Sequence, residues 1–209
     1  MARYTDADCK LCRREGIKLF LKGTRCDTPK CAIEKRGPFP PGQHGRGRSK
    51  DTEYKNQLRQ KQRARRTYGV LERQFRNAYE EAVRRPGITG ENLLQILESR
   101  LDNVLFRTGF ALSRDQARQL VRHGHVEING RKASIPSMRV KANDVVSIRA
   151  KSKSLTPVQH ALAVNENRPT PPWLQVDRAD LKAIVAQLPE RHMIDTPVQE
   201  QMIVELYSK

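Results

Sequence analysis

The block from Ser113 to Ile148 constrains the fold more than any other part of this 209-residue chain. Ser113-Arg114-Asp115-Gln116 has the spacing of a capping box, a hydroxyl N-cap followed three residues later by Gln. Ala117, Leu120 and Val121 then form an apolar stripe at helical spacing, while Arg114, Arg118 and Arg122 recur every four residues along a different strip. Gly124 is placed to end that helix. Val126-Glu127-Ile128, Asn129-Gly130 and Arg131-Lys132-Ala133 read as strand, two-residue turn and strand. A basic helix face beside a hairpin with a basic tip suits a phosphate backbone. A solvated amphipathic helix is the plainer reading, and the rest of the chain decides between them.

Lys and Arg number 40 against 23 Asp and Glu, a formal charge of +17. The excess is uneven: residues 1–70 hold 19 basic and 7 acidic side chains, 71–150 hold 14 and 9, and 151–209 hold 7 of each. Nucleic acid is the commonest partner for such a basic region. An anionic membrane surface is the rival, but the sequence has neither a spanning apolar run nor a basic helix backed by a Trp/Phe/Leu face. Met-Ala-Arg-Tyr-Thr-Asp lacks the apolar core of a secretory signal, so a cytoplasmic location with reduced thiols is expected. Aromatic residues make up 5% of the chain and do not interleave with its basic regions, which favours contacts to phosphate and folded RNA shape over base stacking.

All four cysteines fall in the first 31 residues, as Cys9-x-x-Cys12 and Cys26-x4-Cys31. Two thiol pairs separated by a short loop fit one structural zinc ion with four thiolate ligands, and nearby Lys and Arg would help keep the thiols deprotonated. Four unrelated reduced thiols, or two disulfides in a secreted chain, are the alternatives. With four protein ligands zinc keeps no open position, so the site is expected to organise the basic arm and to catalyse nothing.

The segment 36–50 is rich in Pro, Gly and Arg and cannot bury a core, so it is expected as an extended arm offering Gln43, His44, Arg46, Arg48 and Lys50 to RNA. Residues 51–66 read as a polar helix facing solvent or RNA, with Arg59, Lys61, Arg63, Arg65 and Arg66 as its candidates. Leu71, Phe75, Ala78, Tyr79 and Ala82 line one face of a following helix. A further helix is expected from Thr89 to Gly109, with Leu93, Leu94, Leu97, Leu101, Val104 and Leu105 as its apolar face. Val145, Val146 and Ile148 supply a strand, Trp173 packs a loop, and Met202–Tyr207 reads as a final strand. The expected class is α+β: a zinc-bound arm at 1–50, a helical domain at 51–98, an inserted α/β module of helix pair and antiparallel hairpin sheet at 99–162, and an extension at 163–209 packing on the helical domain.

Several stretches in this order resemble the bacterial ribosomal protein S-four family. They are Cys9-Lys-Leu-Cys12-Arg-Arg-Glu-Gly16, Pro40-Pro-Gly-Gln-His-Gly45, Glu72-Arg-Gln-Phe-Arg76, Ser99-Arg-Leu-Asp-Asn-Val104, Ala117-Arg-Gln-Leu-Val-Arg-His-Gly-His125, Ile135-Pro-Ser137 and Glu205-Leu-Tyr-Ser-Lys209. Asp115, Met138 and Asn143-Asp144 depart from residues common in that family. The resemblance implies an RNA-binding module at Ser99–Ile148, with Arg114, Arg118, Arg122, His123, Arg131, Lys132 and Arg139 toward RNA. It also implies a non-enzymatic role: early binding at a multi-helix junction in the 5′ domain of small-subunit rRNA, contact with ribosomal protein S-five, and a part in decoding accuracy, with no membrane or small-molecule substrate.

Two other readings stay open on the sequence. A free-standing RNA chaperone could use the same module but would need neither the cysteine arm nor the C-terminal extension. Pseudouridine synthases also carry the module and use an Arg-Leu-Asp motif with a nucleophilic aspartate. Arg100-Leu101-Asp102 matches those letters, yet it lies in an apolar-periodic helix where Asp102 is expected on the surface near Arg100 or Arg107, and 61 residues after Ile148 leave little room for a catalytic domain.

Overall fold

The computed structural model describes residues 3–47 and 50–208. In chain order its helices are α1 (Asp8–Glu15), α2 (Ala32–Arg36), α3 (Glu53–Thr67), α4 (Glu72–Arg84), α5 (Thr89–Glu98), α6 (Leu101–Arg107), α7 (Arg114–Arg122), α8 (Thr156–Val164) and α9 (Glu200–Tyr207). The strands are β1 (Val126–Ile128), β2 (Arg131–Ala133), β3 (Val145–Ile148), β4 (Leu174–Asp177) and β5 (Lys182–Val185). Two compact units result: residues up to Leu93 together with those from Thr196, and Leu94–Asp195.

In the first unit, Thr52 Oγ1 caps α3 by accepting from Lys55 N at 3.2 Å. Gly16, at φ 70°, closes α1 in the left-handed region that favours glycine. The apolar stripe expected in α4 forms, with Phe75, Ala78 and Ala82 buried. Met202–Tyr207 forms a helix where a strand was expected. Helical spacing puts Ile203 and Tyr207 on one face, Ile203 fully buried and Tyr207 stacked on Tyr79 with ring centroids 4.5 Å apart. A strand would send those two residues to one side as well, but it would leave the apolar neighbours Val204 and Leu206 on the opposite face with nothing to pair. Helix α9 packs along α3, where Gln57 Nε2 donates to Glu205 Oε2 at 3.1 Å and the Lys61 ammonium lies 5.7 Å from the Tyr207 ring.

In the second unit, five antiparallel strands run in the order β2-β1-β3-β5-β4. Ser113 Oγ caps α7 by accepting from Gln116 N at 3.2 Å, while the Gln116 amide oxygen accepts from Leu112 N, one residue upstream of the N-cap. Gly124 at φ 74° ends the helix, with Gly124 N bonded to Val121 O and His125 N to Leu120 O. Asn129 and Gly130 both have positive φ, 50° and 75°, so the hairpin turn is of the primed type whose twist matches the strands. Asn143, at φ 69°, makes the turn before β3 in the left-handed region that Asn tolerates better than most side chains.

The expected single helix from Thr89 to Gly109 is two helices. Ser99 Oγ bonds back to Ile96 O, and Arg100 is extended (φ −66°, ψ 139°). This short extended segment pairs with the loop before β3: Val140 N donates to Ser99 O and Leu101 N to Met138 O. The stretch expected as a C-terminal extension also divides. β4 and β5 complete the sheet, and Trp173, Leu174, Leu181, Ala183 and Val185 join the same core as Leu105, Val121, Val126 and Val146. Only residues from Thr196 onward belong to the helical unit, where the Tyr68 and Thr196 hydroxyls meet at 3.0 Å. The reason is hydrogen bonding: β3 has a second edge, which β5 covers.

Trp173 is 1% exposed within that core. Trp173→Ala is expected to destabilise the unit by about 3–5 kcal/mol, measurable by chemical denaturation. A loss below about 1 kcal/mol would mean that the C-terminal stretch only covers a core complete without it.

Candidate RNA-binding surface and cysteine pocket

The three arginines of α7 do not share one environment. Arg114 is half-buried; its Nε donates to Asn103 Oδ1 at 2.8 Å and its guanidinium lies 4.3 Å from the centre of the Phe106 ring. Arg118 is 5% exposed, with Nε and Nη2 donating to Asp102 Oδ2 at 3.1 and 2.8 Å. Arg122 is exposed at the end of the helix. A stripe recurring every four residues on a short helix slants around its axis, and here it passes from the interior to solvent.

Asp102 has Arg100 beside it, as expected, but is not on the surface where the sequence put it. It is 2% exposed and takes Arg100 as well as Arg118, with Arg100 Nε and Nη2 donating at 3.1 and 2.9 Å. Beside it, Glu98 is fully buried and accepts from Asn103 Nδ2 at 2.7 Å and from Arg107 Nε and Nη2 at 3.0 and 2.7 Å. Sequence reading missed this network, because Glu98, Asn103 and Arg107 sit among apolar letters and read as the polar side of a helix. Buried and occupied by two guanidiniums, the Asp102 carboxylate is not presented to an outside substrate.

Around this core, His123, Arg131, Lys132 and Arg139 are exposed, as is Lys141, which sequence reading did not single out. Lys132 lies against Gly124, where a Cβ would collide with its side chain, so the helix end and the hairpin tip meet closely. Arg122, His123, Arg131, Lys132 and Arg139 are the members of the predicted set that are exposed in this unit.

In the first unit the predicted basic helix α3 is turned largely inward. Arg59 Nη1 donates to Glu15 Oε1 at 3.0 Å, Arg66 pairs with the same oxygen, and Arg63 Nη2 donates to Glu15 O at 3.3 Å. Glu15 is 4% exposed, and burial pushes its carboxyl up against the downward pull of Arg59, Arg66 and Arg63. Lys61 is buried and pairs with Glu72 at 2.6 Å, and Arg65 reaches the same carboxylate at 3.6 Å. The spacing Arg59, Arg63, Arg66 was a readable signal, since positions i, i+4 and i+7 of one helix can surround one carboxylate. Gln43, His44, Arg46 and Lys50 are exposed in a turn-rich segment, with the Arg46 guanidinium 5.2 Å from the Phe39 ring. Arg48 lies outside the described residues.

Cys9 and Cys12 lie on α1, Cys26 on a short 3-10 turn at Gly23–Asp27, and Cys31 just before α2. All four are free and line one pocket with Asp8, Leu21, Lys22, Arg25, Ala32 and Ile33. Among the described residues no group of three or more His, Cys, Asp and Glu side chains is spaced to hold a metal ion. The chemistry of the set still suits a soft cation. Burial, with a smaller push from the other three sulfurs, raises the Cys12 thiol to about 11, and Cys26 is raised in the same way while accepting from Lys22 N at 3.4 Å. A divalent ion among the sulfurs would favour their thiolate forms, since a coordinating thiol is deprotonated.

Fold and site together define a class: basic proteins that carry a helix-and-hairpin RNA-binding module. The sequence model described as "S4 domain" matches residues 99–146, and that described as "Ribosomal protein S4/S9 N-terminal domain" matches residues 3–98. "Small ribosomal subunit protein uS4" of Acidothermus cellulolyticus is 64% identical over 209 residues, covering all of both chains. The proteins of that name from Frankia casuarinae and Dictyoglomus turgidum are 62% and 59% identical, again over the whole of both chains. The chain belongs to the ribosomal protein uS4 family.

The inward and outward arginines of α7 should separate in experiment. Arg118→Ala removes one of the two guanidiniums that hold buried Asp102 and is expected to cost about 3–5 kcal/mol of folding stability. Arg122→Ala should leave thermal stability unchanged and lower the slope of log affinity against log salt by about 0.7–0.9, the signature of one lost phosphate contact. Equal effects of the two variants on that slope would mean that Arg118 also reaches RNA.

Proposed function

We propose that the protein is a structural constituent of the small ribosomal subunit that binds small-subunit rRNA directly. The observation that carries this reading is full-length relatedness to proteins named for the small subunit, on a chain whose exposed basic edge stands on a rigidly bonded core. A-form RNA hides its deep groove and exposes phosphates and 2′-hydroxyls, so a fixed set of cations can select a folded junction by position with little base reading. The exposed Arg122, His123, Arg131, Lys132 and Arg139 are that set in the second unit, with Gln43, His44, Arg46 and Lys50 adding to it from the first.

The finer role we infer is early, primary binding at a multi-helix junction of the 5′ domain, which nucleates the body of the subunit and bears on decoding accuracy. The charge-balanced stretch 151–209 suits a protein neighbour better than RNA, and S-five is the neighbour expected there. A cytoplasmic location follows from residence in the bacterial small subunit. The test is binding to a 5′-domain transcript and to an unrelated structured RNA of equal length across a salt series. Preference that persists at moderate salt is the expected result, and equal affinities with equal slopes would leave a general polyanion binder.

We further infer that Cys9, Cys12, Cys26 and Cys31 hold one structural zinc ion. Zinc would supply cross-linking charge where the apolar content is too low for a core, tying α1 to the loop before α2. Chelation is expected to open residues 8–36 to protease and to weaken RNA binding. Unchanged protease resistance and affinity after verified metal removal would overturn the assignment.

A further inference from the structure

Among the described residues, the exposed aromatic side chains are Tyr4, Phe20, Phe39 and Tyr54, all in the stretch that also carries the largest basic excess. The sequence reading had set base stacking aside because aromatic and basic residues do not alternate. Exposure, which the sequence does not display, brings the two together. Phe39 has a local role: the Arg46 guanidinium sits on its ring, and the ring lies where a Cβ on Gly37 would be. Tyr54 projects from the first turn of α3 and Tyr4 lies near the start of the chain.

Phe20 has no such local role. Its backbone is in the left-handed region at φ 51°, which a side chain with a Cβ adopts at a cost and glycine adopts freely. Its ring is 48% exposed between buried Leu19 and half-buried Leu21, and among the described residues no other ring or cation stacks on it. The fold thus disfavours Phe here twice, through the backbone and through incomplete burial. A bulky residue kept under strain and in water is a reason to look for something outside the chain that it meets. What the ring offers is a flat π face. The exposed Lys22 and Arg25 follow within five residues along the chain, which suits a partner that combines a planar ring with phosphate.

We propose that Phe20 is a stacking platform for an unpaired base of the RNA that the protein binds. The proposal rests on the rRNA reading above and adds a second mode of contact, one that does not depend on charge. Stacking and phosphate contact separate cleanly, because an uncharged contact changes affinity without changing its salt dependence.

The test uses the full chain and the 5′-domain transcript, with Phe20→Ala, Phe20→Gly and Phe20→Trp. Phe20→Ala and Phe20→Gly should each lose roughly ten-fold or more in affinity at every salt concentration, with the slope unchanged. Phe20→Gly should melt at the same temperature as the parent or higher, since it relieves the backbone, so its loss of affinity cannot come from unfolding. Phe20→Trp should keep the affinity, and its fluorescence should be quenched on adding transcript; Trp173, 1% exposed in the other unit's core, gives a constant background. Parental affinity in the Ala and Gly variants, an unquenched Trp, or a loss that comes with a shallower slope would each overturn the proposal. Absence of any preference for the transcript in the parent protein would overturn the rRNA reading first, before any variant is compared, and the stacking proposal would fall with it.

Discussion

Asp102 accepts hydrogen bonds from two guanidiniums while almost wholly removed from water, and the second unit is arranged around that requirement. A lone buried carboxylate would be untenable, so Arg100 and Arg118 must both be present and correctly aimed. Arg100 can reach only because the chain is extended at that residue, which splits the expected long helix into α5 and α6. Arg118 can reach only if α7 keeps one rotation about its axis, and that rotation also carries Arg122 outward and aligns the helix end with the hairpin. Buried ion pairs are weak evidence for net stability and better evidence for a specified geometry. Here the geometry specified is the position of a basic edge.

The first unit repeats the device with Glu15 and α3. One buried carboxylate at the end of α1 collects Arg59 and Arg66, and its backbone oxygen takes Arg63. This fixes the helix that carries Cys9 and Cys12 against α3 through ion pairs, on a helix whose own buried side chains are Cys12 and Glu15. The cysteine pocket and the arginine cluster therefore stand at opposite ends of the same short helix. A metal ion among the thiols would hold one end and Glu15 already holds the other.

A consequence concerns how a strongly basic protein keeps its fold. Many of its arginines are not on offer to RNA, because they neutralise the few internal carboxylates. The charge left for an external partner comes from exposed side chains at element ends and turns, such as Arg122, Arg131 and Lys132. Backbone geometry sets their placement. The left-handed residues Gly124, Asn129 and Gly130 determine where the helix stops and the hairpin reverses, and so where those cations sit.

Much of this was legible in the letters. The capping residues, the stop at Gly124, the Asn129-Gly130 turn, the α4 stripe and the strand at Val145 depend on local rules, in which a residue's meaning is set by neighbours within a few positions. The family was legible too, because its motifs occur in order along the chain. Local rules could not say which way a charge faces. Arg118 and Arg122 are the same residue type, one helical turn apart, and only the presence of Asp102 beneath one of them makes it interior. The same applies to α9, whose apolar run has no clear period, and to β4 and β5, which exist as sheet because β3 had an open edge. The sequence determined the elements, their caps and the sign of the charge. Tertiary structure decided which charges are spent inside and which remain outside, because pairing a buried carboxylate is a long-range constraint that spacing along the chain does not record.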